Sequence, residues 1–172
     1  MERSTDKLNH FLAENKSTIL TKWFHRLLDI YPKETGRHLK NTNNQFANPM
    51  GHNISQGLAA IYDELLYQMN QDNLYQAIDR IVRIKAVQDV SAADACSFMY
   101  SLKEIIRESL NPEFKSDPEV LKELLRFESR IDQVVLFVFT IYLDCRETVY
   151  KLRVHEIKTK CDFLERMSSY TE

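Results

Sequence analysis

The side chains able to do chemistry sit in three short segments, each mixing polar groups into apolar surroundings: FANPMGH (46–52), RIKAVQD (83–89) and YLDCRE (142–147). The first offers the amide of Asn48 and the imidazole of His52, whose unperturbed pKa of ~6.5 would give it pH sensitivity. The second offers Arg83, Gln88 and Asp89, and the third Tyr142 and Arg146. Arg83 or Arg146 facing Asp89, Asp144 or Glu147 would form a buried or half-buried ion pair. Such pairs cost about as much as they return, so they specify geometry or a switch more than they add stability. Two readings fit. One is helix capping with interhelix ion pairing. The other is a polar pocket that senses a small ligand through Asn48, His52, Arg83, Gln88, Asp89, Tyr142 and Arg146.

Catalytic chemistry finds no support. There is no GxSxG elbow, no Cys–His–Asn signature and no Gly-rich phosphate loop, and glycines at 36, 51 and 57 cannot build one. His10, His25, His38, His52 and His155 show no HExxH or comparable metal-ligand spacing. The expectation is a protein that is not an enzyme and holds no metal. A globin would place its proximal histidine on the helix before the last two long ones. Residues 73–87 stand there and contain no histidine, so constitutive haem is not expected. A haem held by His52 alone stays open, as does an unidentified small ligand. Residues 16–40 carry Lys16, Lys22, Arg26, Lys33, Arg37 and Lys40 against Asp29 and Glu34. The turn at 32–36 does not lead into a recognition helix, so this reads as a solvated basic face and not as a nucleic-acid site.

The elements that position these residues follow from composition. The chain has 172 residues, with 23 Lys plus Arg against 25 Asp plus Glu. This near balance argues against a general binder of nucleic acid or anionic membrane. Hydrophobic residues make up 44%, enough for one packed core. With only 3 Gly and 4 Pro, the chain lacks the turn residues an all-β fold needs. The fold class is therefore all-α. The N-terminus has no apolar signal region, and the longest apolar run, 134–143, is about half a membrane span. Cys96, Cys145 and Cys161 fit a reducing compartment, and the expected location is cytoplasmic.

Helix signals punctuate the chain. Ser4 and Asn15 are candidate caps for two N-terminal helices, the second burying Ile19, Trp23, Phe24 and Leu27, and Pro32 ends it. A short helix over 33–42 and a loop over 41–48 follow. Asn48-Pro49 opens a helix carrying Ile54, Leu58, Ile61, Tyr62, Leu65 and Met69, with Gly57 marking close approach of a neighbour. Asp72 is expected to cap the next helix, whose apolar face runs through Leu74, Ile78, Ile81 and Val82 to Lys85 or Val87. Ser91 and Asp94 resemble a capping box. Asn111-Pro112 is a stop, and Asp117-Pro118-Glu119 is a start.

No Pro or Gly follows Pro118, so the last helix is predicted to run to about residue 165, on the order of 70 Å. Up to about Leu143 it is apolar on most faces and expected to be buried. Beyond, it is charged, with a seven-residue stripe of Leu143, Tyr150, Ile157 and Leu164 flanked by Val154 and Cys161. A narrow apolar stripe on a charged helix is the pattern of a coiled-coil seam. It predicts a homodimer, although Arg146, Arg153 and Lys160 occupy the other seam position.

Four stretches carry a family resemblance: the helix from Asn15-Lys16 to Trp23, FANPMGH (46–52), RIVRIKAVQDVSAADA (80–95) and IYLDCRETVYKLRVHE (141–156). They resemble the N-terminal domain of RsbRD-type RsbT co-antagonist proteins, bacterial stressosome sensors. The resemblance implies a haem-free, dimeric, globin-like sensory domain in the cytoplasm, with an irregular helical bundle as the alternative architecture. In such proteins the last helix leads into a STAS output domain. This sequence stops at Glu172 without one. The expectation is one sensor domain over 1–172, with 144–166 as a projecting helix. Its function would be to relay a signal by helix repacking to a protein partner that the sequence does not name. A ligand-free interaction scaffold is the alternative.

Overall fold

A computed structural model describes residues 7–29, 36, 37, 39, 48–87 and 90–169. Among them are seven helices: α1 (Lys7–Glu14), α2 (Lys16–Leu28), α3 (Pro49–Leu66), α4 (Gln71–Val87), α5 (Ala92–Ser109), α6 (Pro112–Ser116) and α7 (Pro118–Ser169). The described residues contain no strand, and the fold is all-α with a long C-terminal helix. Ser4, Pro32 and most of 33–47 lie outside the described residues; within that stretch Gly36, Arg37 and Leu39 are helical.

Local chemistry explains most boundaries. The Asn48 Oδ1 accepts from the Gly51 N–H at 2.9 Å, with Pro49 in the first helical turn of α3. Ser91 Oγ accepts from the Asp94 N–H at 3.1 Å, and its own hydroxyl donates to Asp94 Oδ2 at 2.6 Å. Asn111 Oδ1 accepts from the Phe114 N–H at 2.8 Å, and Asp117 Oδ1 from the Glu119 N–H at 3.0 Å. These side chains satisfy donors that a helix start leaves unpaired.

Three local expectations are corrected. Asn15 makes no side-chain cap to α2; its amide turns back and donates to Phe11 O at 2.9 Å, joining α2 to the end of α1. The cap of α4 is Asn70, not Asp72, because Asn70 Oδ1 accepts from the Asn73 N–H at 3.0 Å. Met69 is past the end of α3, with a left-handed φ of 52°.

The core gathers where α2, α3, α4, α5 and the first half of α7 meet. Trp23 donates through Nε1 to Phe98 O at 2.6 Å, and the two rings stack 5.9 Å apart. The Tyr62 hydroxyl, deep in the core, donates to Leu12 O at 3.0 Å. α3 and α4 form an antiparallel pair, and Gly57 explains how close they come. A Cβ at Gly57 would stand 2.9 Å from Ala77 O and 2.9 Å from Ile81 Cγ1.

The helix α7 has 52 residues, roughly 78 Å at 1.5 Å per residue. One face, from Val120 and Phe127 through Ile131, Val134, Val138 and Ile141 to Tyr142, is buried on α4 and α5. The run 134–143 is nonetheless not buried on most faces. Leu136 is 70% exposed, Phe139 43% and Leu143 47%. The helix lies on the outside of the core, and no element among the described residues covers its far face. Beyond Arg146 nearly every described side chain is exposed, Val149 and Val154 being half-buried. Among the described residues no helix is long and apolar enough to cross a membrane.

Candidate functional site: the joint at the end of α4

Two side chains of α7 reach the C-terminal end of α4 at the point where α7 leaves the core. The Arg146 Nη1 donates to Ala86 O at 3.1 Å. The Tyr142 hydroxyl donates to Val90 O. Both acceptors belong to the turn that ends α4, where the Val90 N–H also reaches Lys85 O at 3.5 Å. Carbonyls at a helix C-terminus lack intrahelical donors and carry the negative end of the helix dipole. A guanidinium is therefore well placed there electrostatically.

The same turn is held from the other side by Lys85. Its side chain is 1% exposed. Its ammonium donates to Asp94 O, in the first turn of α5, at 3.3 Å, and lies 5.3 Å from the centre of the Phe98 ring. Burial pushes this amine down to about 8, against the opposing pull of Asp94 and Cys96. Burial likewise pushes the Cys96 thiol up, with Lys85 acting in the other direction.

One turn earlier, Asp79 receives two partners. Arg83 donates to both of its carboxylate oxygens at 3.0 and 2.9 Å, and Cys145 Sγ lies 3.9 Å from Oδ1. The hydrogen bond to Asp79 raises the already high pKa of Arg83. Burial, then Asp79, pushes the Cys145 thiol up.

The structure thus brings Tyr142 and Arg146 to one turn, whereas Arg83 and Asn48 have partners elsewhere. Arg83 pairs with Asp79 of its own helix and stays solvent-exposed. Glu147 pairs with Lys151 at 2.7 Å along the tail. Asn48 is buried as a cap, donating through Nδ2 to Leu39 O at 2.9 Å while accepting from Gly51. A Cβ at Gly51 would stand 2.4 Å from both Asn48 Nδ2 and Leu39 O, so the chain is tightly packed where α3 begins. His52 is half-buried in the first turn of α3, where its N–H donates to Asn48 O at 3.1 Å. Gln88 and Asp89 lie outside the described residues.

Lys85 is a buried charged residue at the joint that was not among the sequence candidates. Its position on the apolar phase of α4, seven residues after Ile78, was the available signal. Two other ties were silent in the sequence. Arg107 forks onto the buried Glu128 at 2.6 and 2.7 Å, and Arg130 donates to Leu65 O at 3.0 Å, fastening α7 to the end of α3.

A groove of about 410 Å³ runs beside the first turn of α4, between Met69, Leu74, Gln133, Leu136, Phe137 and Thr140. It lies away from the joint. Among the described residues no group of three or more His, Cys, Asp or Glu side chains could hold a metal ion.

Residues 17–156 match the model of the RsbT co-antagonist protein RsbRD N-terminal domain, and the chain belongs to that family. It is also similar to an uncharacterized protein of Archaeoglobus fulgidus, with 23% identity over 106 residues, covering 61% of this chain and 66% of the relative. No solved structure matches.

Proposed function

We propose that the chain is a non-catalytic, haem-free, globin-like sensory domain of the cytoplasm. Its output is the exposed half of α7, and its signal arrives as a change in helix packing at the joint. The family to which residues 17–156 belong supports a stressosome-type signalling role. The observation that carries the reading is the placement of the apolar stripe. Leu143, Tyr150, Ile157 and Leu164 are all exposed at seven-residue spacing. Leu136, also exposed, extends the same line back onto the core. Val154 and Cys161 flank the stripe, four residues after Tyr150 and Ile157.

The exposed half of α7 continues a helix nucleated on the core, but most helical stability comes from packing an apolar face, which its stripe leaves open. Pairing its stripe with that of a second copy stabilises it, so the partner in this reading is first of all a homodimer. Arg146, Arg153 and Lys160 occupy the other seam position, which makes the seam weaker than a full heptad repeat. Weak pairing suits a relay, since displacements of ~1–2 Å at a packed interface then suffice to change it. A downstream signalling protein would read the paired tails.

The second reading, an interaction scaffold without ligand, is favoured by the way Asn48 is used up in capping. Both readings need the tail to pair. Replacing Ile157 and Leu164 by Asp while measuring solution mass tests that shared element: the wild-type chain is a dimer and the variant a monomer.

A further inference from the structure

The buried amine of Lys85 is not used by the relay as described so far, yet it lies on the turn that the relay depends on. Its backbone carbonyl meets the Val90 N–H, and the next residue, Ala86, is the acceptor of Arg146. Val90 in turn is the acceptor of Tyr142. The terminal turn of α4 is therefore fixed on the α5 side by a lysine side chain and on the α7 side by a tyrosine and an arginine.

We infer that Lys85 is a proton-operated catch at this joint. Neutral, it seats the last turn of α4 against α5 and within reach of Arg146 and Tyr142. Charged, it favours an arrangement in which that turn lifts towards water and slackens both hydrogen bonds.

The physical reason is the environment of the ammonium. A buried charge is costly unless it is paired. Here it meets one carbonyl at 3.3 Å and one ring face at 5.3 Å, and no carboxylate among the described residues lies within ion-pair distance. Asp94 and Cys96 face it from α5, but the Asp94 carboxylate is exposed and occupied by Ser91. From α7, Tyr142 and Arg146 approach the adjoining carbonyls, and α3 brings His52 in its first turn, at the same end of the antiparallel pair. Phe98, against which Trp23 stacks, presents its ring to the ammonium from α5. Uncharging the amine removes the desolvation cost, and charging it restores that cost. Packed elements answer such a bias by moving between discrete arrangements.

This inference rests on the relay reading for its consequence, but the two fail separately. The experiment is a pH titration of the intact chain, from pH 6 to 10, followed by NMR. The signals observed are the Lys85 side-chain methylene, the Ala86 and Val90 amides, the Tyr142 ring and the Arg146 Nε. The expected result is a Lys85 midpoint near 8, with the other four signals moving at that same midpoint. In Lys85→Met that midpoint disappears from all four. The inference is overturned if the joint signals stay still while Lys85 titrates, or if their midpoint survives in Lys85→Met. A Lys85 midpoint in the ordinary lysine range overturns it too. Should Lys85→Met not fold, the comparison of midpoints within the wild-type chain decides alone. Solution mass is read on the same samples. A monomer with coupled joint signals removes the relay and leaves the catch, whereas a dimer with uncoupled signals removes the catch alone.

Discussion

The guanidinium of Arg146, on α7, donates to the carbonyl of Ala86 in the last turn of α4 at 3.1 Å. This bond ties the helix that leaves the core to the end of a helix inside it. Four residues earlier on α7, Tyr142 donates to Val90 O, just past the same helix end. The two bonds make the end of α4 and the exit of α7 one mechanical unit.

Loss of either bond should be measurable. Tyr142→Phe removes only a hydroxyl and should cost about 1 kcal/mol, the net worth of a hydrogen bond. At this chain length that is roughly 2–4 °C in melting temperature. Arg146→Met loses a charged donor and should cost about 1.5–3 kcal/mol. Because both act on one turn, the double variant should depart from additivity by at least ~0.5 kcal/mol. Strict additivity in thermal unfolding would show that the turn is not a unit.

Lys85 gives stability a pH dependence of known sign. Burial holds its amine at about 8 in the folded chain, below its ordinary 10.5. Between those values the unfolded chain binds more protons, so the Lys85 contribution to stability rises with pH. At lower pH the penalty is complete, on the order of 3 kcal/mol. Lys85→Met removes it. The variant should therefore melt above the wild type at pH 7, with the gap narrowing as pH rises from 8 towards 10. Melting curves at several pH values check this, and a gap that is constant with pH would contradict it.

How far the sequence revealed this arrangement depended on the kind of signal. Caps and stops are local chemistry, so Asn48-Pro49, Ser91, Asn111-Pro112 and Asp117-Pro118 were readable from neighbouring residues alone. So was Gly57, because a glycine inside a helix needs a steric reason. Apolar periodicity marked the buried face of α7 but not its exposed one. Leu136 and Phe139 look like core residues in the sequence, and only the position of α7 outside the core leaves them uncovered. The joint was half legible. The polar residues Tyr142 and Arg146 in an apolar run attracted attention, but Val90 O and Ala86 O, which they reach, are backbone carbonyls, which every residue has. The sequence suggested carboxylate partners: Arg83 has one in Asp79, one turn away on its own helix, and Arg146 makes a bond to Ala86 O that the sequence could not announce. Lys85 was on the right face, yet a lysine at a core position is ordinarily read as the edge of an apolar stripe.

Gly57→Ala should destabilise the chain despite a gain of about 1 kcal/mol in helix propensity. The added methyl would stand 2.9 Å from Ala77 O, a backbone atom that cannot move without shifting α4. Overpacking of this kind costs typically 1–3 kcal/mol. The net effect is a lower denaturation midpoint with an unchanged helical circular dichroism spectrum. A raised midpoint would mean that α3 and α4 separate easily.

The proposed output rests on the exposed stripe of α7 pairing with a second copy. Sedimentation equilibrium across a range of concentrations measures this directly. The account predicts a wild-type mass of twice the 20.3 kDa of one chain, falling to that of a single chain when Ile157 and Leu164 are both replaced by Asp. A wild-type chain that stays monomeric throughout, or a variant that dimerises as well as the wild type, would contradict it.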